Sequence, residues 1–440
     1  MTGLELLGLV MLAMLIWVIF IGFPIAFTLL FLAMTFGWLG MGNRVFDLAY
    51  FQTIGLMKEE VLAAVPLFIF MGYVVEQAGL MGRLFRAFQV ILAPLRGSLY
   101  LGVILTATVF AMATGIVGAA VTVLGIMAAP IMIKSGYDAR LSAGAIAAGG
   151  TLGILIPPSV MLIVMGPVMG VSVAQLYAAA FGPGFLLASL YIIYCLTRSF
   201  INPKLGPPVP HEERAKSVGV MAREFLLGVI PLAALIAATL GSILGGLATP
   251  TEAASMGASG GILLSLIYRR FTWPGLKAAV FNTMTTSSMV LFLAVASNVF
   301  GAVFAKLGTA TLITKTLLAL PVPPFVTLLL VMLLIFLLGW PFEWPAIILV
   351  FLPIFYPVVQ ALKFDPIWFG ALVAVNLQTA YLSPPVAMSA YYLRRVVPQW
   401  SLSTIYRGMA DFMVIQVIGL ILVMVFPQIA LWFPGWLFGR

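Results

Sequence analysis

Two stretches of this sequence place backbone carbonyls where proline denies them a hydrogen-bond donor. The first runs Ala148-Gly149-Gly150-Thr151-Leu152-Gly153-Ile154-Leu155-Ile156-Pro157-Pro158-Ser159, the second Asn376-Leu377-Gln378-Thr379-Ala380-Tyr381-Leu382-Ser383-Pro384-Pro385. Both lie inside apolar, helix-forming sequence, and proline has no N–H and clashes with the turn before it. Carbonyls freed in this way need a new partner. A desolvated cation supplies one, while the N-terminal ends of the neighbouring half-helices offer N–H groups and a positive dipole end suited to a carboxylate. Serine, threonine or water could satisfy the same carbonyls and leave only a kink. Finding two breaks at corresponding places, each beside an interrupted apolar segment, favours the ion-and-anion reading.

Other chemistry is largely excluded. The sole histidine, His211, sits in the most charged loop, and the sole cysteine, Cys195, can form neither an internal disulfide nor a thiolate metal cluster. Gly144 to Gly153 lacks the Lys-Ser/Thr ending of a phosphate loop, so no nucleotide site is expected and coupling falls to an ion gradient. Among acidic residues inside apolar sequence, Glu252 follows Thr249-Pro250-Thr251 as a capping box, and Asp138 and Asp365 precede helices as N-caps. Glu343 is different, because it falls at the middle of an interrupted apolar segment. There a carboxylate could pin a helix end or take part in ion chemistry, and the sequence leaves both open. In the polar run from Thr283 to Asn298, the serines and threonines are expected to bond back to their own helix, leaving Asn298 as the candidate contact.

The elements that must hold these residues follow from composition. Of 440 residues, 63% are apolar and 8% charged, so the chain reads as an all-α polytopic membrane protein rather than a soluble one. The net charge of +9 resides in loops between apolar runs and no basic patch is interleaved with aromatics, so no nucleic-acid partner is expected. The first apolar stretch lacks a basic flank and a small-residue cleavage site, and is expected to remain as a span. Spans are expected near 4–21, 24–40, 57–79, 139–171, 174–201, 223–245, 249–268, 275–307, 365–393 and 403–434. The segments 97–134 and 322–360 break in their middles, at Ala113-Thr114-Gly115 and at Gly339-Trp340-Pro341-Phe342-Glu343, and read as re-entrant hairpins; two short tilted spans each is the alternative.

A constant offset lays Pro130 on Pro357, Asp138 on Asp365, and Pro157-Pro158 on Pro384-Pro385. The matching order of elements predicts two repeats. One covers 1–201, with hairpin 97–134 and broken helix 139–171; the other covers 223–440, with hairpin 322–360 and broken helix 365–393; residues 202–222 form a cytoplasmic linker. Five spans and one hairpin per repeat turn the second copy upside down, the inverted-topology plan of secondary transporters. Most of the 22 Lys and Arg residues then fall on one side, which makes that side cytoplasmic and puts both termini outside.

Particular runs also carry a family likeness. Thr114-Gly115 to Pro130, Lys134 to Asp138, Leu155 to Ser159, Ala248 to Ala254, and Val375 to Thr379 with Ser383-Pro384-Pro385 resemble the large membrane subunit of tripartite ATP-independent periplasmic (TRAP) transporters over essentially the whole chain. The resemblance implies a sodium-coupled importer of organic acids in the bacterial inner membrane, working by an elevator motion. It also implies two partners, a small four-span membrane subunit and a periplasmic substrate-binding protein. The chain departs from the family in having Gly149 and Gly150 where serine is frequent, Ala120 for an aspartate, and Glu343 for an aspartate. Two Na+ sites are therefore expected: one from Thr114, Gly115, Gly149, Gly150 and Thr151, the other from Gly339, Glu343, Asn376 and Thr379. Substrate contacts are expected at Thr114, Gly115, Ser159, Asn298, Gln378 and Ser383. The Asn376-to-Thr379 run with Tyr391-Tyr392-Leu393-Arg394 is similar to the branch handling monocarboxylic or 2-oxo acids. A stand-alone sodium/dicarboxylate symporter or ion exchanger is the other transport reading. An intramembrane enzyme would need a convergent acid/base or metal set that the sequence lacks.

Overall fold

The computed structural model describes residues 2–439 apart from 116, 209–216 and 385–386. His211, the middle of the expected linker, Pro385 and both terminal residues therefore lie outside the described residues, as do the side chains of Ala111, Ala113 and Thr114. Among the described residues the regular structure is helical throughout. Eight helices are long and apolar enough to cross a membrane, or up to nine with the bent pair Ala139–Leu155 and Val160–Met169 counted as one more.

The chain opens with α1 (Gly3–Ile21), α2 (Ile25–Met41), α3 (Arg44–Met57), α4 (Ala64–Gln77) and α5 (Leu80–Leu92). The pair α6 (Ser98–Thr114) and α7 (Val117–Lys134) follows, joined by only two residues, and then α8 (Ala139–Leu155), α9 (Val160–Met169) and α10 (Val173–Ile201). After the loop come α11 (Val218–Gly228), α12 (Ile230–Leu244), α13 (Pro250–Ile267), α14 (Trp273–Lys306) and α15 (Thr309–Leu318). A second interrupted pair is built from α16 (Pro324–Leu338), the short α17 (Trp344–Ala346), a π-helical stretch (Ile347–Phe351) and α18 (Leu352–Ala361). The chain ends with α19 (Pro366–Leu382), α20 (Met388–Val396), α21 (Leu402–Val425) and α22 (Gln428–Phe438).

Local chemistry sets many of these boundaries. Asp138 accepts from the Leu141 N–H at 2.8 Å and Asp365 from Ile367 and Trp368 at 2.8 and 3.0 Å, so both act as the expected N-caps. Glu252 accepts from the Thr249 N–H at 2.8 Å while Thr249 Oγ1 accepts from the Glu252 N–H at 3.2 Å, closing the expected capping box. Three expectations need correction. The regions 44–57, 80–92 and 309–318 form separate helices that a search for long continuous apolar runs passes over; α5, for one, is amphipathic, burying Leu80, Leu84 and Phe85 while Arg86 is exposed. The expected span 403–434 divides at Phe426-Pro427 into α21 and α22, and 223–245 continues a helical region that begins at Val218 and divides at Val229.

Packing links the two halves of the chain reciprocally: α2 lies on α14 and α4 on α13, α1 on α15 and α5 on α11, α8 on α21 and α19 on α10. At the centre, every residue of α8 from Leu141 to Leu155 is buried, as is nearly all of α19. Small residues permit this. A Cβ added at Gly144 would sit 2.6 Å from the Gly408 carbonyl and the Phe412 ring, so α8 and α21 meet backbone to backbone. Large apolar side chains such as Phe20, Phe31, Phe51 and Trp436 stand exposed on the periphery, where acyl chains would cover them.

Candidate ion and carboxylate site

The first break falls between α8 and α9, which are bent by 41°. A proline frees the carbonyl four residues before it, so Pro157 and Pro158 free Gly153 and Ile154. Ser159 Oγ donates to the Ile154 carbonyl at 2.5 Å, so a side chain satisfies one of the two. The tip between α6 and α7 faces the other. Gly115 adopts a left-handed backbone, φ 61°, and a Cβ built on it would stand 3.8 Å from the Gly153 oxygen and 3.7 Å from both the Pro158 oxygen and the Val160 nitrogen. Carbonyl oxygens that can serve a hard cation and the first N–H of α9, which can serve an anion, thus converge on one glycine.

The carbonyls freed by proline lie about one helical turn beyond the residues expected for the first cation site. Gly149 and Gly150 lie within the unbroken helix α8, where their missing side chains make room for Ala107 and for Val121. Thr151 is fully buried and its hydroxyl donates back to the Ala148 carbonyl at 2.8 Å. Gly149 and Gly150 let the helix pair pack against α8, and Thr151 bonds within its own helix. Thr114 ends α6 beside the tip. Ser159 donates its hydroxyl to the Ile154 carbonyl, which closes the break from within.

The second break repeats the logic. Counting four back from Pro384 and Pro385 frees Ala380 and Tyr381. Both line a cavity of about 560 Å³ together with Gly339, Trp340, Glu343 and Trp344 from the second tip, and with Ile19, Phe20 and Ile25 from α1 and α2. Glu343 is exposed to this cavity and is the only charged residue lining it among the described residues. Gly339 allows the tip to approach α19, since a Cβ there would come within 2.9 Å of Ala380 Cβ. Ser383 caps α19 at the break and is buried, with a hydroxyl that has no hydrogen-bond partner among the described residues.

Asn376 and Thr379 sit one turn earlier, inside the intact part of α19. Asn376 Nδ2 donates to the Met332 carbonyl of α16 at 2.7 Å, while its Oδ1 is buried without a partner. Thr379 donates to the Asn376 carbonyl at 2.6 Å. Gln378 points elsewhere, accepting at 2.7 Å from Gln416 on α21. Asn298 donates to the Gln52 carbonyl at 2.9 Å and so ties α14 to α3. Neither Gln378 nor Asn298 lines the cavity, and each makes a helix-to-helix tie. Gly153, Pro158, Ala380 and Tyr381 were not among the expected residues, although counting back from each double proline picks out three of the four.

Comparison with known proteins adds the family. Residues 12–429 match the family model described as the tripartite ATP-independent periplasmic transporter, DctM component. The chain is 30% identical to the sialic acid TRAP transporter large permease protein of Vibrio cholerae, over 94% of this chain and 96% of that one. It is also 30% identical to the C4-dicarboxylate TRAP transporter large permease protein of Pseudomonas aeruginosa, over 86% of each. Among solved structures, the YdaH transporter of Alcanivorax borkumensis superposes with a TM-score of 0.66 at 19% identity, covering 98% of this chain and 99% of that one, a likeness of fold.

Proposed function

Since this chain belongs to the DctM family of tripartite ATP-independent periplasmic transporters, we propose that it is the membrane component that carries an organic acid inward with sodium across the bacterial inner membrane. The observation that supports this most is the matched pair of sites, in which proline-freed carbonyls on α8 and α19 each lie beside an interrupted helix pair. Sodium is a hard cation and suits such an oxygen-only donor set. One Na+ is assigned to Gly115, Gly153 and Pro158. The second is assigned to Gly339, Ala380 and Tyr381, with Glu343 as the charged neighbour.

The substrate carboxylate would take the N–H groups at the start of α9 and the unpartnered hydroxyl of Ser383. The branch likeness of the α19 and α20 residues points to a monocarboxylate or 2-oxo acid. The reciprocal packing of the halves is what two inverted repeats would produce, each with five spans, one hairpin and one broken helix. In an elevator motion α6 to α10 and α16 to α22 would move as a body, while α2 and α13 stay with the frame. A small four-span subunit would cover part of that frame and a periplasmic binding protein would deliver substrate, leaving the bilayer to cover the remaining apolar surface. Both termini are placed on the periplasmic side.

Reconstitution tests this directly. Proteoliposomes holding the chain with its small subunit should take up acid only when loaded binding protein and an inward sodium gradient are both present. Uptake driven by a proton gradient with sodium absent would refute the coupling, and uptake without binding protein would refute the tripartite delivery.

A further inference from the structure

A cavity of about 350 Å³ that shares no lining residue with the ion and carboxylate site is walled by Gly79, Gly82, Arg83, Arg86, Glu224 and Arg270. It forms where α4 ends at Gln77, α13 ends at Ile267 and α14 begins at Trp273, with α5 packed on α11. Ends of several apolar helices mark the boundary between hydrocarbon and water, which is the depth of a phospholipid headgroup.

Three guanidinium groups face one carboxylate here. Arg83 is held in place, its guanidinium carbon 4.6 Å from the centre of the Tyr268 ring, while Tyr268 donates to the Leu227 carbonyl at 2.5 Å. Arg86 Nε lies 3.7 Å from Glu224 Oε1, too far for a hydrogen bond, so both groups keep capacity for a ligand. Arg270 is exposed at the cavity mouth. The glycines leave space: a Cβ added at Gly79 would meet nothing within 4 Å. Beside the cavity, α11 presents Phe225, Leu226 and Leu227 exposed, a surface that acyl chains would cover.

We propose that this cavity binds the headgroup of an anionic phospholipid that carries hydroxyls, such as phosphatidylglycerol. The phosphodiester is held by Arg83, Arg86 and Arg270, whose planar donor forks match phosphate oxygens. Headgroup hydroxyls donate to Glu224. The surplus of positive charge selects a net anionic lipid over a zwitterionic one, and the apolar residues of α11 select a lipid over a free phosphate. Binding would clamp the amphipathic α5 to α11 and the end of α13.

Native mass spectrometry of the full chain, mixed with phosphatidylglycerol or phosphatidylcholine in detergent, reads the site out. The wild type should retain phosphatidylglycerol preferentially, and each Arg→Gln change should weaken that retention about fivefold, the worth of one basic side chain near an anionic surface. Glu224→Gln should narrow the preference for phosphatidylglycerol over phosphatidic acid, whose headgroup has no hydroxyl-bearing extension. Arg83→Lys and Arg86→Lys keep the charge and should retain the anionic preference. Arg270→Gln changes an exposed side chain, so it reports binding where the inner variants fold poorly. Equal retention of the two lipids by the wild type, or unchanged retention in Arg270→Gln, would overturn the proposal. So would inorganic phosphate protecting the protein from thermal unfolding as well as the lipid does.

Discussion

Replacing Gly115 by alanine should raise the sodium concentration for half-maximal uptake by roughly five- to thirtyfold. The residue has φ 61° at the tip between α6 and α7, and this left-handed conformation costs an ordinary L-residue about 1–2 kcal/mol. That cost corresponds to a factor of roughly 5–30 in an equilibrium constant. Steric clash adds little, because the new Cβ would stand 3.7–3.8 Å from its nearest atoms, an ordinary contact distance. The penalty therefore falls on the tip geometry that sets the chain beside the Gly153 and Pro158 carbonyls. Asparagine adopts the left-handed region more readily, so Gly115→Asn carries the Cβ without the full strain and should recover most of the sodium affinity. The assay is initial uptake into proteoliposomes against sodium concentration, with melting temperature measured alongside. If alanine changed only the melting temperature, tip conformation and ion binding would be uncoupled. If asparagine were as damaging as alanine, strain would not be the cause.

Thr151→Ala and Thr379→Ala remove hydroxyls that donate to their own helix at 2.8 and 2.6 Å; sodium dependence should stay within about twofold of wild type, and a tenfold shift would return the ions to the intact turns of α8 and α19. Gln378→Leu or Gln416→Leu alone strands a buried amide and should cost about 1–3 kcal/mol in unfolding measurements, whereas the double leucine variant should recover much of it; simple additivity would refute the tie between α19 and α21. Glu343→Gln should strengthen substrate binding at low sodium, measured by ligand titration of the reconstituted transporter, because the carboxylate no longer opposes an anionic substrate; weaker sodium dependence with unchanged substrate affinity would instead make Glu343 an ion ligand. With the buried Cys195 replaced, single cysteines at Ser135 and Lys363 should react with an impermeant thiol reagent in right-side-out vesicles only at Lys363, and the opposite pattern would overturn the inverted arrangement.

Much of the fold was legible because bilayer spans write themselves as long apolar runs and their ends as capping residues. Asp138, Asp365 and the Thr249–Glu252 box all act as their sequence contexts require. What escaped was structure with a different signal. The helix α5 alternates Leu80, Leu84 and Phe85 with Arg83 and Arg86, so it has a face and not a run, and α15 is shorter than a span. The division at Phe426-Pro427 was available in principle, since proline cannot continue the hydrogen-bond ladder of α21.

At the two breaks, the polar residues singled out in the sequence lie one turn before the carbonyls that proline frees. Polar and glycine residues drew attention to Gly149 to Thr151 and Asn376 to Thr379, yet in a helix the carbonyl that loses its donor lies four residues before the proline, whatever its side chain. Side-chain chemistry does not single out Gly153, Ala380 or Tyr381, because only their backbone oxygens would be offered to a cation. Tertiary partners were equally hidden: nothing in the sequence says that Asn298 will find Gln52 or that Gln378 will find Gln416. The same geometry explains how a site without a basic side chain can admit an acid. With Glu343 the only charge among the described residues of the cavity wall, an anionic substrate would meet no compensating side-chain charge there, so on the proposed reading positive charge would arrive as bound cations on the freed carbonyls. On the proposed reading, occupancy of ion and substrate would be mutually dependent, each raising the affinity of the other by the same factor, and coupling to sodium would follow from what the cavity lacks as much as from what it contains.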